Sequence, residues 1–405
     1  MNDKSQLELA DIFRSLDIDQ MEANGLPLSS EQRTVLRDIM QCRTAALGGH
    51  LERCDQCGHT QIAYDSCRNR HCPKCQASAR AEWLEERAAD LLPVGYFHVF
   101  FTLPNQLSPL ALQNKRVIYG LLFQAASETL LEIGADPRHL GAEIGFLAVL
   151  HTWGQSLQHH PHLHCIVPGG GLSSDHSRWV TCRKGFFLPV KVLSRLFRRK
   201  FICDLRKTFE EGTLVCAGKL SHLVQKDSFE NLLDELNRHE WVVYAKAPFG
   251  NPEQVLKYLA HYTHRVAISN HRLLEFSEGR VTFSYKDYAA GNATKAMTLD
   301  AQEFTRRFLL HILPKGFVRI RHYGFLGNRC RREKLGLCRR LIEQSNDHIS
   351  AGDQKTERVD LIQPPLADLF LCPVCRKGRM TIVDPMMIST HMIVKASLAA
   401  WADSS

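Results

Sequence analysis

The residues with the most chemical potential sit in the stretch 151–172, HTWGQSLQHHPHLHCIVPGGGL. At its centre His162 and His164 flank Leu163, and an apolar run, Cys165-Ile166-Val167, leads to a turn at Pro168-Gly169-Gly170-Gly171. Side chains two apart on a strand point to one face. A strand here sets the two imidazoles side by side and turns Leu163 and Cys165 into the core. Two neutral imidazoles on a rigid strand make half a metal site, and the remaining ligands come from elsewhere. His151, at the end of the apolar run 144–150, is the nearest third ligand if the two runs pair as neighbouring strands.

A second reactive stretch is 251–265, NPEQVLKYLAHYTHR. Pro252 and Glu253 suit the first turn of a helix, with Val255, Leu259 and Val266 as its buried stripe. Tyr258 and Tyr262, four apart, then lie one above the other on the border of that stripe. Lys257, His261, His264 and Arg265 surround the phenols with positive charge. A phenol of pKa about 10 needs such cations, or a metal-activated electrophile, to attack phosphorus.

The third feature is a pair of Cys-x-x-Cys knuckles, Cys54/Cys57 and Cys72/Cys75, fourteen residues apart. This spacing predicts one tetrahedral four-thiolate zinc site, with Cys67 and His71 between the pairs as substitute ligands. Arg53, Arg68, Arg70 and Lys74 make the module basic and fit for a phosphate backbone. Far downstream Cys372 and Cys375 form a lone pair whose partners, among Cys330, Cys338 and His391, the spacing does not choose.

The elements that must position these groups follow from the hydrophobic patterning. Ser29-Ser30 caps a helix through Gln32, Val35, Leu36, Ile39 and Met40, and residues 77–92 read as an amphipathic helix. Strands are expected over 96–103, 144–153, 162–167, 178–181 and 241–246, and helices over 115–133, 227–238 and a basic segment bearing Arg195, Arg198, Arg199 and Lys200. A hairpin turns at Glu278-Gly279, and a helix follows over 301–313. This order describes an α+β fold, an antiparallel sheet backed by helices with the histidines on an inner strand. Expected divisions are 1–49 (helical), 50–85 (zinc-binding), 86–290 (the domain bearing the histidines and tyrosines), 291–342 (basic helical extension), 343–366 (linker) and 367–405 (C-terminal segment).

With 405 residues the chain can bury a substantial core, and its excess of eight positive charges favours a polyanionic partner. Arg319 and Arg321, interleaved with aromatics in FVRIRHY (317–323), suit a nucleic-acid groove. No apolar run reaches the length needed to span a bilayer, and the opening residues carry no secretory pattern, so no membrane partner and a cytoplasmic location are expected. Fourteen cysteines, several in metal-binding spacing, agree with a reducing compartment.

Four segments together resemble the two-tyrosine HUH transposases of the insertion sequence 91 family: CRNRHCPKCQ (67–76), HPHLHCIVPGGGL (160–172), YLAHYTHRVAISN (258–270) and IRHYGFLGNR (320–329). The resemblance spans roughly residues 30 to 340. It implies a zinc-binding domain held by Cys54, Cys57, Cys72 and Cys75, followed by an HUH endonuclease domain whose sheet is similar to that of RNA-recognition folds. It further implies magnesium or manganese on His162 and His164, and Tyr258 and Tyr262 as the two nucleophiles. The spacing of His151 from the pair is similar to that in the three-histidine sites of conjugative relaxases. The implied activity is nicking and rejoining of single-stranded DNA at transposon ends through a 5′-phosphotyrosine. It drives rolling-circle transposition into target DNA, with host replication or helicase proteins as partners and Lys257, His261, Arg265, Arg319 and Arg321 contacting DNA. A plasmid replication initiator or relaxase is the alternative with the same chemistry. A zinc hydrolase is disfavoured by the lack of a glutamate beside His162, and a zinc-finger regulator would leave the histidines idle.

Overall fold

The computed structural model describes residues 7–23, 25, 27–76, 89–183, 188–249, 266–287, 290–346 and 371–384. In chain order the longer elements are α1 (Leu9–Arg14), α2 (Ile18–Ala23), α3 (Ser30–Gln41), β1 (Gly49–Cys54), β2 (Thr60–Tyr64), β3 (Tyr96–Thr102), α4 (Ser108–Gln113) and α5 (Lys115–Ala135). Next come β4 (Gly145–Trp153), β5 (His159–Pro168), β6 (Gly170–Leu172), β7 (Trp179–Thr181), α6 (Val190–Glu210), α7 (Lys226–Arg238) and β8 (Val243–Phe249). The last are β9 (Leu273–Ser277), β10 (Arg280–Asp287), β11 (Ala293–Asp300), α8 (Ala301–Leu310), β12 (Ile320–Gly324), α9 (Arg331–Asn346) and β13 (Met380–Asp384). The chain divides into two compact units, one of residues 1–82, 264–312 and 358–405, the other of 83–263 and 313–357.

The second unit is built on a five-stranded antiparallel sheet in the order β12-β4-β5-β3-β8. Alternation along each strand gives its two faces opposite characters. Phe97, Val99 and Phe101 on β3, Leu163, Cys165 and Val167 on β5, and Phe146, Ala148 and Leu150 on β4 join one apolar core with α5, α6 and α7. The expected antiparallel sheet backed by helices is therefore present, with Leu163 and Cys165 fully buried. On the other face the far ends of the strands carry a smaller apolar group, Tyr96, Leu147, Val149 and Ile166. The near ends carry histidines. At the sheet edge, β12 holds β4 in register from Ile320↔Val149 to Gly324↔Gly145. Gly324 has φ +57°, and a Cβ there would strike the Ile144 carbonyl, so only glycine allows this approach.

In the first unit, Ser29 caps α3 as expected, its hydroxyl accepting from the Gln32 N–H. Phe13 of α1 packs on Phe308 of α8 (ring centroids 5.3 Å), and Phe283 of β10 on Phe304 of α8 (5.7 Å). Two antiparallel sheets complete the unit, β13-β1-β2 and β11-β10-β9.

Three local expectations change. Residues 168–171 do not form a simple turn: β5 runs through Pro168, and Gly170–Leu172 makes β6 against β7. A Cβ on Gly170 would meet the Val180 carbonyl at 2.5 Å and the Trp179 ring at 2.6 Å, so this glycine serves close strand approach. The hairpin at Glu278-Gly279 gains a third strand, β11, and α8 ends at Leu310 rather than 313. Of the helix expected over 77–92, residues 77–88 lie outside the described residues, and 89–92 form a turn and an irregular segment rather than helix.

Candidate functional site

Antiparallel pairing of β4 with β5 sets His151 directly opposite His162, and the two-residue alternation brings His164 onto the same face. The imidazoles of His151 and His164 are 4.3 Å apart between centroids, those of His162 and His164 4.8 Å, and those of His151 and His162 5.6 Å. Each offers a ring nitrogen, and these nitrogens all lie within 4.8 Å of one another. His151 and His164 are buried, at 2% and 4% exposure, whereas His162 is half-buried, so the cluster opens to solvent on one side.

The hydrogen bonds around the cluster fit a cation. Nδ1 of His162 donates to the His160 carbonyl at 2.7 Å, which leaves Nε2 with its lone pair. Nδ1 of His164 lies 2.8 Å from Nε2 of His98, a wholly buried residue of β3. For His164 to ligate through its buried Nε2, its Nδ1 must carry the proton and donate to His98. Burial, reinforced by the charges of Lys246 and His162, holds His98 well below the ordinary imidazole range, so it stays neutral and can accept. Three neutral imidazoles with an open side and an oriented outer partner suit a divalent ion that keeps positions for substrate oxygens.

His98 was not legible as part of the site, because it sits inside the apolar run YFHVFFT and its partner is 66 residues away. Its role as an orienting partner gives a prediction. His98→Phe, which keeps ring volume but removes the acceptor, is expected to weaken manganese binding about 10- to 100-fold, and His98→Gln to recover part of it. Calorimetric titration checks this, and wild-type affinity in His98→Phe would show that the contact orients nothing.

The expected single zinc site separates into two clusters. Cys72 and Cys75 group with Cys42 and Cys67, while Cys54 and Cys57 group with Cys372 and Cys375. In the first, Sγ of Cys75 lies 3.5 Å from that of Cys42 and 3.6 Å from that of Cys67. Four sulfurs around zinc at about 2.3 Å form a tetrahedron with edges of about 3.8 Å, far beyond a disulfide. The donor set and spacing therefore fit structural zinc, with no ligand position left for catalysis. The knuckles separate because Cys54–Cys57 lies at the end of β1, where β13 pairs, whereas Cys72–Cys75 faces the C-terminal end of α3, which supplies Cys42. Cys67 was foreseen as a substitute ligand, whereas Cys42, alone at a helix end, carried no spacing signal.

Arg321 lays its guanidinium over the Phe123 ring at 4.0 Å and near Phe317 at 5.3 Å, beside a cavity of about 460 Å³ lined also by Arg116 and Val318. The backbone of Arg319 accepts from Leu150 N–H at 2.9 Å, which extends the β12 contact towards His151. Lys257, Tyr258, His261, Tyr262 and Arg265 lie outside the described residues. Among the described residues no helix is long and apolar enough to cross a membrane.

Residues 145–334, which contain the histidines, match a family described as "Putative transposase", and residues 14–103 match "Transposase zinc-binding domain". The chain is 54% identical over 382 residues to "Putative transposase y4qJ" of Sinorhizobium fredii, covering 94% of this chain and 96% of that one. It is 27% identical over 315 residues to the "Transposase for insertion sequence element IS801" of Pseudomonas savastanoi pv. phaseolicola, covering 76% and 73%. The solved structure of TrwC complexed with a 27-mer DNA overlaps 60% of this chain and 73% of its own, at 13% identity and a TM-score of 0.22, too loosely to carry an argument. With a zinc-binding transposase module over the cysteines, a transposase family over the histidines and a relative more than half identical along nearly its whole length, the chain belongs to the insertion sequence 91 family of transposases.

Proposed function

We propose that this transposase nicks and rejoins single-stranded DNA at the ends of its element, with the histidine cluster holding the scissile phosphate and Tyr258 and Tyr262 as nucleophiles. The observation that carries the reading is the convergence of His151, His162 and His164 on one open-sided point of the sheet. Bound there, magnesium or manganese supplies Lewis-acid polarisation of a phosphodiester. The chain enters the tyrosine segment from β8, a strand of the same sheet. A tyrosine oxygen attacks phosphorus, the bond to the 3′ oxygen breaks, and a 3′-hydroxyl leaves with a proton. The phosphotyrosine on the 5′ side retains the bond energy, so a 3′-hydroxyl can reverse the step without ATP. A second tyrosine four residues away allows a second strand to be cut while the first stays attached, which is what strand transfer into target DNA requires. Lys257, His261, Arg265, Arg319 and Arg321 supply cations for the DNA backbone. Host replication or helicase proteins open the duplex, in the cytoplasm.

The test is incubation with labelled single-stranded DNA carrying an element end, with manganese or with EDTA, followed by denaturing gel and peptide mapping. A manganese-dependent adduct on Tyr258 or Tyr262 is expected. Tyr258→Phe and Tyr262→Phe singly should each retain some adduct, and the double variant none. Full adduct formation by the double variant would remove the tyrosines from the chemistry.

A further inference from the structure

We infer that Cys54, Cys57, Cys372 and Cys375 form a second structural zinc site, which clasps the C-terminal segment to the N-terminal cysteine module. Sγ of Cys54 lies 3.7 Å from that of Cys375, and Sγ of Cys57 lies 3.6 Å from that of Cys372. These separations match the sulfur edges of a zinc tetrahedron, about 3.8 Å, and not a disulfide of about 2.05 Å. The matched zinc-binding family ends at residue 103, so half of this ligand set lies outside it.

The two halves are built alike. In the first knuckle Cys54 N–H donates to the His59 carbonyl (2.8 Å) and Gly58 N–H to the Cys54 carbonyl (3.2 Å). In the second, Cys372 N–H donates to the Gly378 carbonyl (2.8 Å) and Arg376 N–H to the Cys372 carbonyl (2.9 Å). Gly58 and Arg376 occupy corresponding turn positions, both with positive φ, +72° and +54°. Backbone N–H groups also point at sulfur: those of Gln56 and Cys57 at Cys54 Sγ (3.4 and 3.5 Å), and that of Gly378 at Cys375 Sγ (3.3 Å).

The knuckles are held together independently of the sulfurs. β13 pairs with β1 up to Cys54↔Met380, Asp55 N–H donates to the Arg379 carbonyl (3.1 Å), and Arg379 N–H donates to the Asp55 carboxylate (2.8 Å). A Cβ on Gly378 would strike Cys54 Sγ, so the second knuckle can approach the first only with glycine there. With all four ligand positions taken by thiolate the ion has no open place, and its work is structural. Because Cys57 and Cys372 are 315 residues apart, the site closes only after the whole intervening chain exists. A C-terminally truncated transposase would lack it.

Cys57 gives the decisive test, because it is exposed, as is Cys203, a cysteine in neither cluster. Burial therefore protects neither thiol from an alkylating reagent. In the zinc-loaded full-length protein, Cys57 is expected to alkylate about tenfold or more slowly than Cys203, and to approach its rate after chelation. Equal rates with zinc present would overturn the inference. In parallel, cobalt substitution reads thiolate ligands through their charge-transfer absorption, to which the histidines do not contribute. Cys372→Ser with Cys375→Ser is expected to halve that absorption relative to wild type, whereas an unchanged spectrum would mean that other ligands hold the metal. If that double variant fails to fold, the alkylation rates of the wild-type protein still decide.

Discussion

Replacing His164 or His162 with alanine is expected to lower metal-dependent nicking by about 10²- to 10³-fold, the loss typical of one group that stabilises developing charge in a transition state. The two substitutions separate chemistry from folding because their surroundings differ. His164 is buried at 4% exposure, contacts His98 and packs edge-on to Phe100, so its removal also takes a hydrogen-bond partner from the buried His98, at a cost of about 1–3 kcal/mol. His162 is half-buried, so its removal should lower the melting temperature less than that of the buried His164. A common loss of nicking with different losses of stability, measured by single-turnover cleavage and thermal unfolding, is the signature of a shared ion. Nicking by His162→Ala at the wild-type rate would take the triad out of the reaction. Raised manganese should recover part of the activity of either variant, since a two-histidine site binds the ion more weakly but leaves the phosphate position open.

Much of this site was readable from residue spacing because strand alternation is strictly periodic. The pattern around Leu163 and Cys165 fixes which way His162 and His164 point, and an apolar run ending in His151 needs only to pair with β5 to bring the third imidazole in. The resemblance to the transposase family independently picked the histidine pair. What escaped was information carried by contacts between distant segments. His98 looks like one more residue of a buried strand until the β3–β5 register sets it against His164. Cys42 ends a helix with no second cysteine nearby to mark it. The sharing of cysteines failed for a related reason, since two knuckles close in sequence invite a common ion and only the pairing of β13 with β1 gives Cys54 and Cys57 other partners. The missed strand β11 is half of another kind of failure: most of its residues are exposed, so no apolar alternation announces it. In IRHYGFLGNR, a segment picked out by the family resemblance, the described residues have a packing role. Tyr323 stacks on Phe146 at 5.1 Å, and Gly324 permits β12 to lie against the strand that bears His151.

The second large effect is expected from Cys75→Ser, or from chelation of the wild-type protein, and it falls on stability rather than chemistry. Cys75 is close to both Cys42 and Cys67, so the cluster ties the end of α3 to the 67–76 loop through one ion. Zinc contributes about 10–16 kcal/mol of apparent binding free energy in small zinc-finger peptides, comparable with the whole stability of a domain, about 5–15 kcal/mol. The apolar contribution here is small by comparison: α3 buries Val35, Leu36 and Ile39 along one stripe, and the loop that follows buries little besides its cysteines. Losing that ion in Cys75→Ser should therefore release residues 67–76 to rapid hydrogen exchange, and chelation, which also empties the Cys54/Cys57/Cys372/Cys375 cluster, should extend the release across 42–66. Strands β4 and β5 rest on the separate core built from Phe97, Phe101, Phe123, Phe146, Leu163 and Phe197, and their amides should stay protected. Because the histidines stand on those strands, manganese binding should outlast the loss of zinc, which is measurable on the same chelated sample after manganese is restored. Uniform deprotection of both regions would mean that the two units fold as one, and retained protection of residues 67–76 in Cys75→Ser would mean that packing, not zinc, holds that loop.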